Sequence, residues 1–137
     1  MSDATILIVD DEKNTRDGLR LSFEDEFDVY IASNKASAVE VLKHDGVDVM
    51  ITDLMLTSNM SGFELIQTIR NELELDYLTL PILLMTMEPG EDERTDFTAI
   101  FGAGTNDFVT KPVNEDDLLS RLQTLVNIKR QSEALNP

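Results

Sequence analysis

The sequence predicts one α/β domain, in which a doubly wound parallel sheet of five strands is covered by helices on both faces. Short apolar runs rich in β-branched residues alternate with amphipathic stretches along the chain, as in successive βαβ units. The length of 137 residues suits a single domain with a full core. Hydrophobic residues make up 42% of the chain, a fraction typical of sequences that fold.

Five runs are predicted as strands because they are short, apolar and bounded by turn residues or acids. They are residues 5–9, 29–32, 47–52, 81–86 and 107–110. Five stretches carry apolar residues at helical spacing and are predicted as helices. These helices cover residues 14–27, 35–43, 61–73 and 91–101, and a last stretch from 114 to beyond 129.

Several residues are expected to set the ends of these helices. Gly46 is predicted to stop the second helix, and Gly102 with Gly104 the fourth. The run Ser61-Gly62-Phe63-Glu64 has the form of a capping box and predicts the start of the third helix. Asn114 is predicted to cap the last one.

Composition and charge argue against several classes of function. The chain has 27 acidic and 11 basic residues, which gives a net charge of −16 at pH 7. Such a surface repels nucleic-acid phosphates and anionic lipid, so direct binding to either is not expected. The absence of cysteine excludes disulfides and thiolate metal sites. No signal segment or membrane-spanning apolar run is seen, so we expect a cytoplasmic domain.

Acidic residues follow two of the predicted strands. Asp10 and Asp11 come directly after the first strand, and Asp53 follows the third. In a doubly wound sheet, ligands bind at the carboxyl ends of the strands where the strand order reverses, between strands one and three in the order 2-1-3-4-5. The three carboxylates are therefore expected to converge. Because carboxylates repel one another, such a cluster usually persists through a bound cation or shared protons, and an all-oxygen ligand set favours Mg²⁺.

Two further polar residues end strands at the same predicted edge. Thr86 closes the fourth strand, and Lys111, followed by Pro112, closes the fifth. Taken singly, a threonine there is usually structural and a lysine there is usually solvated. A lysine ammonium can neutralise phosphoryl charge, however, and a hydroxyl can donate to a phosphoryl oxygen. Together with the acids they supply the groups that phosphoryl transfer needs.

Four ordered motifs resemble those of the receiver domains of two-component response regulators. They are Ile8-Val9-Asp10-Asp11-Glu12, Ile51-Thr52-Asp53, Leu84-Met85-Thr86 and Val109-Thr110-Lys111-Pro112. The resemblance extends from residue 5 to about residue 126. It implies the flavodoxin-like receiver fold with the strand order 2-1-3-4-5.

The resemblance also implies a phosphoryl acceptor and a metal site. Asp53 matches the aspartate that accepts the phosphoryl group, and Lys111 matches the lysine that pairs with it. The metal would be Mg²⁺ or Mn²⁺, held by the acceptor, the acidic pair and one backbone carbonyl. These ligands would be Asp10, Asp11, Asp53 and the backbone carbonyl of Met55.

A switch is implied by the same resemblance. Thr86 matches the hydroxyl that moves toward the phosphoryl group, and Phe108 matches the aromatic residue that then rotates inward. Without the resemblance, plain core packing would explain Phe108. The switch would alter the surface formed by the fourth helix, the fifth strand and the last helix.

The implied partners follow from this switch. The phosphoryl donor would be a histidine kinase or a histidine phosphotransfer protein, and an output domain or a homodimer would use the switched surface. Residues 1–129 would form the receiver domain, and residues 130–137 a tail or the start of a linker to an output domain. The chain would not be an enzyme beyond self-catalysed phosphoryl transfer and dephosphorylation.

The chain departs from the receiver pattern in three stretches. Residues 54–60 lack the usual methionine-proline pair and carry one extra residue, and residues 73–80 and 87–93 are longer than usual. Three alternatives therefore accompany the main interpretation. They are a receiver-like interaction module that is never phosphorylated, a flavodoxin-like electron carrier, and a phosphohydrolase. The last two lack their expected motifs after the first strand, a phosphate-binding loop and an Asp-x-Asp pair respectively.

Overall fold

The computed structural model describes residues 3–57, 60–87 and 102–135. Its strands are β1 (Thr5–Val9), β2 (Asp28–Ala32), β3 (Val49–Asp53), β4 (Met55–Thr57), β5 (Met60–Ser61), β6 (Ile82–Met87) and β7 (Asp107–Lys111). Its α-helices are α1 (Lys13–Phe23), α2 (Lys35–His44), α3 (Gly62–Gln67) and α4 (Glu115–Leu135). A π-helical turn, Thr68–Glu72, follows α3. The helix predicted over residues 91–101 lies outside the described residues.

The main sheet has five parallel strands in the order β2-β1-β3-β6-β7. These are the five predicted strands in the order 2-1-3-4-5, so the predicted sheet is confirmed. β4 and β5 form a separate antiparallel hairpin directly after β3. Every residue of β3 is buried, which explains the apolar run Val49-Met50-Ile51 within it.

Helices cover both faces of the sheet and enclose two apolar clusters. Successive side chains of a strand point to opposite faces, so Ile6 and Ile8 pack with α1 and α4 on one face. Leu7 and Val9 pack with α2 and α3 on the other face. The sheet is therefore fixed from both sides, and its carboxyl edge provides a rigid base for a site.

The ends of two helices differ from the prediction. The prediction that Gly46 stops α2 was wrong: the helix ends at His44, and Asp45 turns into extended backbone with φ −122°. No left-handed residue is needed there, because the Asp45 amide still bonds to the Val41 carbonyl. α1 ends at Phe23, four residues before the predicted end at residue 27. A tight turn follows it and brings the Phe27 ring edge-on to the Phe23 ring.

The third helix also differs from the prediction of one continuous helix. α3 gives way to the π-helical turn, in which the Leu73 amide donates to the Thr68 carbonyl at 3.0 Å. The side chain of Ser61 lies outside what the structure describes, so the capping box stays a prediction. At α4, by contrast, the predicted cap is confirmed: the Asn114 side chain accepts a 2.9 Å hydrogen bond from the Asp117 amide.

α4 continues without a break into the stretch predicted as a tail, as far as Leu135. A buried lysine anchors it: Lys129 Nζ lies 3.3 Å from the Val47 carbonyl and 3.2 Å from Asp48 Oδ1. The domain boundary at residue 130 stays a prediction. Among the described residues no helix combines the length and apolar character required to cross a bilayer.

Candidate functional site

The carboxyl edge of the sheet brings together the three aspartates that the sequence singled out. Asp10 follows β1, Asp53 ends β3, and the two strands are neighbours in the sheet. One carboxylate oxygen from each of Asp10, Asp11 and Asp53 lies within 4.8 Å of the others. Asp10 and Asp53 are buried, and Asp11 is exposed. The expected convergence at the point of strand reversal is therefore present.

Asp10 is held in place through three of its four polar atoms. Its amide donates to the Ala32 carbonyl at 3.1 Å, and its own carbonyl accepts from Arg16 Nη1 at 2.8 Å. Its Oδ1 accepts from the Glu12 amide at 2.9 Å. Only Oδ2, which is buried, has no hydrogen-bond partner in the described part of the chain. A buried carboxylate oxygen without a donor is costly, so this atom is suited to a cation.

Lys111 reaches the cluster from the end of β7. Its Nζ donates to Asp53 Oδ2 at 2.6 Å and lies 3.7 Å from Asp10 Oδ2. The peptide bond to Pro112 is cis. One ammonium thus faces two of the three carboxylates, and the described site keeps an excess of negative charge.

Burial and mutual charge shift the ionisation of these groups. Burial raises the pKa of Asp10; the Glu12 amide opposes that rise, and the charge of Asp53 adds to it. Burial disfavours the ammonium of Lys111, but the hydrogen bond to Asp53 and the charges of Asp53 and Asp10 outweigh it and raise its pKa. Lys111 therefore stays charged at neutral pH.

Thr86 and Phe108 lie on the two strands beyond Asp53. Asp53 pairs with Met85 in the sheet register, so Thr86 stands one position farther toward the carboxyl edge, and it is buried. Phe108 is half-buried on β7 and packs against the cluster on the α2 and α3 face. Phe108 therefore does pack against the core, and its role in a switch stays a prediction.

The chain after Asp53 folds back over its own backbone. The Leu54 carbonyl accepts from the Gly62 amide at 2.6 Å, which closes the β4–β5 hairpin onto the end of β3. A Cβ at Gly62 would overlap the Asp53 carbonyl oxygen and lie 3.1 Å from Leu54 Cα. Gly62 is therefore required by the close approach of the backbone at Asp53. Met55 lies in β4, and the role of its carbonyl as a metal ligand stays a prediction.

Sequence reasoning missed two arginines, one beside the site and one at the opposite edge of the sheet, where β6 and β7 begin. Arg16 binds the Asp10 carbonyl, as described above. Arg70 donates to the carbonyls of Gly104, Leu75, Asp76 and Leu80, and its guanidinium lies 4.8 Å from the centre of the Tyr77 ring. Basic residues on amphipathic helices ordinarily indicate a solvated face, so neither residue carried a local signal.

The available ligands fit a hard divalent cation. The cluster offers three carboxylates and no nitrogen or sulfur ligand, a chemistry that suits Mg²⁺ or Mn²⁺. Asp10 Oδ2, a buried atom that accepts no hydrogen bond from the described residues, belongs to this cluster. The residues present thus match the expected acidic metal pocket.

Comparison with known sequences points to one protein family. The sequence profile of the response regulator receiver domain matches residues 6–123. The transcriptional regulatory protein YvrH of Bacillus subtilis is 33% identical over 97% of this chain, which spans 53% of that relative. An uncharacterized 14.6 kDa protein of Leptolyngbya boryana is 34% identical over 86% of each chain. The sensor histidine kinase TmoS of Ectopseudomonas mendocina is 29% identical over 95% of this chain and 13% of its own length.

Solved structures share the fold. The signal receiver domain of a putative LuxO repressor protein from Vibrio parahaemolyticus superposes with a TM-score of 0.83 at 18% identity, covering 98% of both chains. The chemotaxis response regulator CheY4 of Vibrio cholerae gives a TM-score of 0.76 at 26% identity, covering 90% of this chain and 99% of that one. Because both the sequence profile and the fold match, the electron-carrier and phosphohydrolase alternatives fall away. The chain belongs to the response regulator receiver domain family, whose members are signalling modules.

Proposed function

We propose that this chain receives a phosphoryl group on Asp53 in a reaction that depends on Mg²⁺. The observation that carries the proposal is the position of the Asp53 carboxylate, which lies 2.6 Å from the Lys111 ammonium and beside an acidic pair in which Asp10 Oδ2 accepts no hydrogen bond from the described residues. Lysine and carboxylates in this arrangement match the needs of phosphoryl transfer, in which positioning and charge stabilisation supply most of the catalysis.

The proposed metal ligands are Asp10, Asp11 and Asp53, with the backbone carbonyl of Met55 completing the set. A bound Mg²⁺ or Mn²⁺ would neutralise charge on the carboxylates and on the incoming phosphoryl oxygens. Asp11 is exposed, so it is the ligand that solvent and a donor reach first. Asp10 presents Oδ2, which accepts no hydrogen bond from the described residues, because its remaining polar atoms are already bonded.

In the proposed transfer, an oxygen of Asp53 bonds to phosphorus as the bond from phosphorus to the donor imidazole nitrogen breaks. The electron pair of the broken bond stays on that nitrogen. Lys111 holds Asp53 in place beforehand and pairs with the phosphoryl oxygens afterwards. The buried position of Asp53 limits the approach of water to the acyl phosphate that results.

The proposed output uses Thr86 and Phe108. The Thr86 hydroxyl moves toward the phosphoryl group and leaves space that Phe108 fills, which biases a two-state surface around β7 and α4. The helix predicted over residues 91–101, the third part of that surface, lies outside the described residues. An output domain or a second copy of the chain would read the change.

The proposed donor is a phosphohistidine on a histidine kinase or a histidine phosphotransfer protein, met in the cytoplasm. In support, one relative is named a sensor histidine kinase and another a transcriptional regulatory protein. This chain spans only part of each, so their activities remain those of the whole relatives.

The test uses a small-molecule donor. The chain is incubated with acetyl phosphate and Mg²⁺, and its intact mass is measured. We expect the mass of one phosphoryl group to be added to the wild type and to an Asp25→Asn control at an exposed site, and no addition to Asp53→Asn. No gain in the wild type, or an equal gain in Asp53→Asn, would refute the proposal.

A further inference from the structure

We propose that Arg16 is a positioning residue for the metal site, because it fixes the backbone that carries Asp10. This inference rests on the proposed function, since it assigns to Arg16 a share of the Mg²⁺ affinity. Arg16 lies in α1, six residues beyond Asp10, and its guanidinium turns back to the end of β1.

The geometry makes this contact the link between helix and site. Arg16 Nη1 donates to the Asp10 carbonyl at 2.8 Å in a half-buried position. The Arg16 amide bonds to the Glu12 carbonyl at 3.1 Å, and the Glu12 amide holds Asp10 Oδ1 at 2.9 Å. These three hydrogen bonds join Asp10, Glu12 and Arg16 in a small ring around the turn from β1 to α1, and two of them involve Asp10.

This ring sets the direction of the remaining carboxylate oxygen. Because the amide, the carbonyl and Oδ1 of Asp10 are all hydrogen-bonded, its Oδ2 faces the acidic cluster. This oxygen lies 3.7 Å from Lys111 Nζ. If the Arg16 contact is lost, the Asp10 carbonyl loses its side-chain donor and the turn gains freedom. Residues that orient metal ligands in this way typically contribute about 10- to 100-fold to metal affinity.

The charge of Arg16, considered without its positioning role, should affect Mg²⁺ affinity in the opposite direction. Arg16 carries a positive charge next to a site that would bind a cation, so removing that charge should tighten Mg²⁺ binding. Positioning predicts weaker binding when the side chain is removed. The sign of the change in affinity therefore separates the two effects.

The experiment measures Mg²⁺ affinity by isothermal titration calorimetry on the whole chain. Arg16→Met keeps the apolar stem and removes both charge and donor, while Arg16→Lys restores a charge and a donor that reach nearly as far. Arg20→Met is the matched control, because Arg20 is exposed on the same helix one turn later. Thermal unfolding without Mg²⁺ is recorded for every variant to verify folding.

We expect Arg16→Met to bind Mg²⁺ about 10-fold more weakly than the wild type. Arg16→Lys should recover most of that loss, and Arg20→Met should bind as the wild type does. Affinity that is unchanged or increased in Arg16→Met overturns the inference, as does an Arg16→Lys variant that binds no better than Arg16→Met. If Arg16→Met does not fold, Arg16→Gln, which is too short to reach the carbonyl, is judged by the same criterion. A wild type that binds no Mg²⁺ refutes the proposed metal site itself, which is a separate outcome.

Discussion

The ammonium nitrogen of Lys111 lies 2.6 Å from Oδ2 of Asp53, although 58 residues separate them in the sequence. The parallel sheet makes this meeting possible, because both residues end strands at the same edge. The ammonium also lies 3.7 Å from Asp10 Oδ2, so it is the nearest positive charge that the described structure offers to the acidic cluster.

Replacing Lys111 with methionine should slow phosphorylation of Asp53 by acetyl phosphate about 100-fold, because a preorganised donor to the phosphoryl oxygens is lost. Mg²⁺ binding should persist or tighten, since a competing positive charge is removed from the carboxylates. Rates come from intact mass against time at saturating Mg²⁺. Lys13→Met, at an exposed ion pair with Asp17, is the control. A variant phosphorylated at the wild-type rate would show that Lys111 is only structural.

Gly62→Ala should destabilise the fold by about 3 kcal/mol, because the new methyl group overlaps backbone that cannot move aside cheaply. Gly18→Ala is the matched control. Gly18 lies within α1, and a methyl group added there would meet nothing within 4 Å, so alanine should stabilise the chain by up to about 1 kcal/mol. Urea denaturation of both variants measures the free energy of unfolding. Equal effects of the two substitutions would contradict the close approach at Gly62.

Arg70→Met should cost about 3 kcal/mol of unfolding free energy. The substitution leaves the carbonyls of Gly104 and Leu80 without their arginine donor and removes the guanidinium from the Tyr77 ring. Amide hydrogen exchange at residues 73–80 and 102–106 should be faster in Arg70→Met than in the wild type. Exchange in β1 should change less. Arg20→Met, at an exposed site, should change neither quantity. Unaltered exchange in both segments of Arg70→Met would rule out this anchoring role.

The ionisation of Asp76 should make the stability of the fold depend on pH. Hydrogen bonds from Thr79, and then from the Leu78 amide, lower the pKa of Asp76 below its ordinary value of 3.8. Because the folded pKa is lower than the unfolded one, the ionised carboxylate stabilises the fold above pH 3.8, and this contribution is lost as pH falls through the folded pKa.

Asp76→Asn should therefore be less stable than the wild type at pH 7, and the difference should shrink below about pH 4 as the wild-type carboxyl is protonated. Urea denaturation at a series of pH values measures the difference in the free energy of unfolding between the variant and the wild type. Asp25→Asn, at an exposed aspartate in the turn after α1, is the control. A gap for Asp76→Asn that stays constant from pH 7 to pH 3 would contradict the expectation.

The sheet was predictable because its signal is local. Residues 6–9 and 49–51 are continuous apolar runs, and burial on both faces of a parallel sheet demands such runs. The acids that end these strands were found for the same reason, since sheet topology fixes where strand ends meet. Lys111 and Thr86 needed the ordered set of motifs as well, because each is common at the end of a strand.

Contacts between distant residues were not predictable in this way. Arg70 binds the Gly104 carbonyl 34 residues away, and no periodicity encodes that pairing. The π-helical turn after α3 has the same composition as an ordinary helix, so spacing alone indicated one continuous helix. Arg16 was missed because its partner is a backbone carbonyl, which leaves no mark on the sequence.

The identity of the phosphoryl acceptor is tested most directly by chemical mapping. Borohydride reduces an aspartyl phosphate to homoserine, so the chain is treated with acetyl phosphate and Mg²⁺, reduced, digested and sequenced by tandem mass spectrometry. We expect homoserine at position 53 and at no other aspartate. Homoserine at Asp10 or Asp11 with none at position 53, or no homoserine in a chain that has gained a phosphoryl mass, would contradict it.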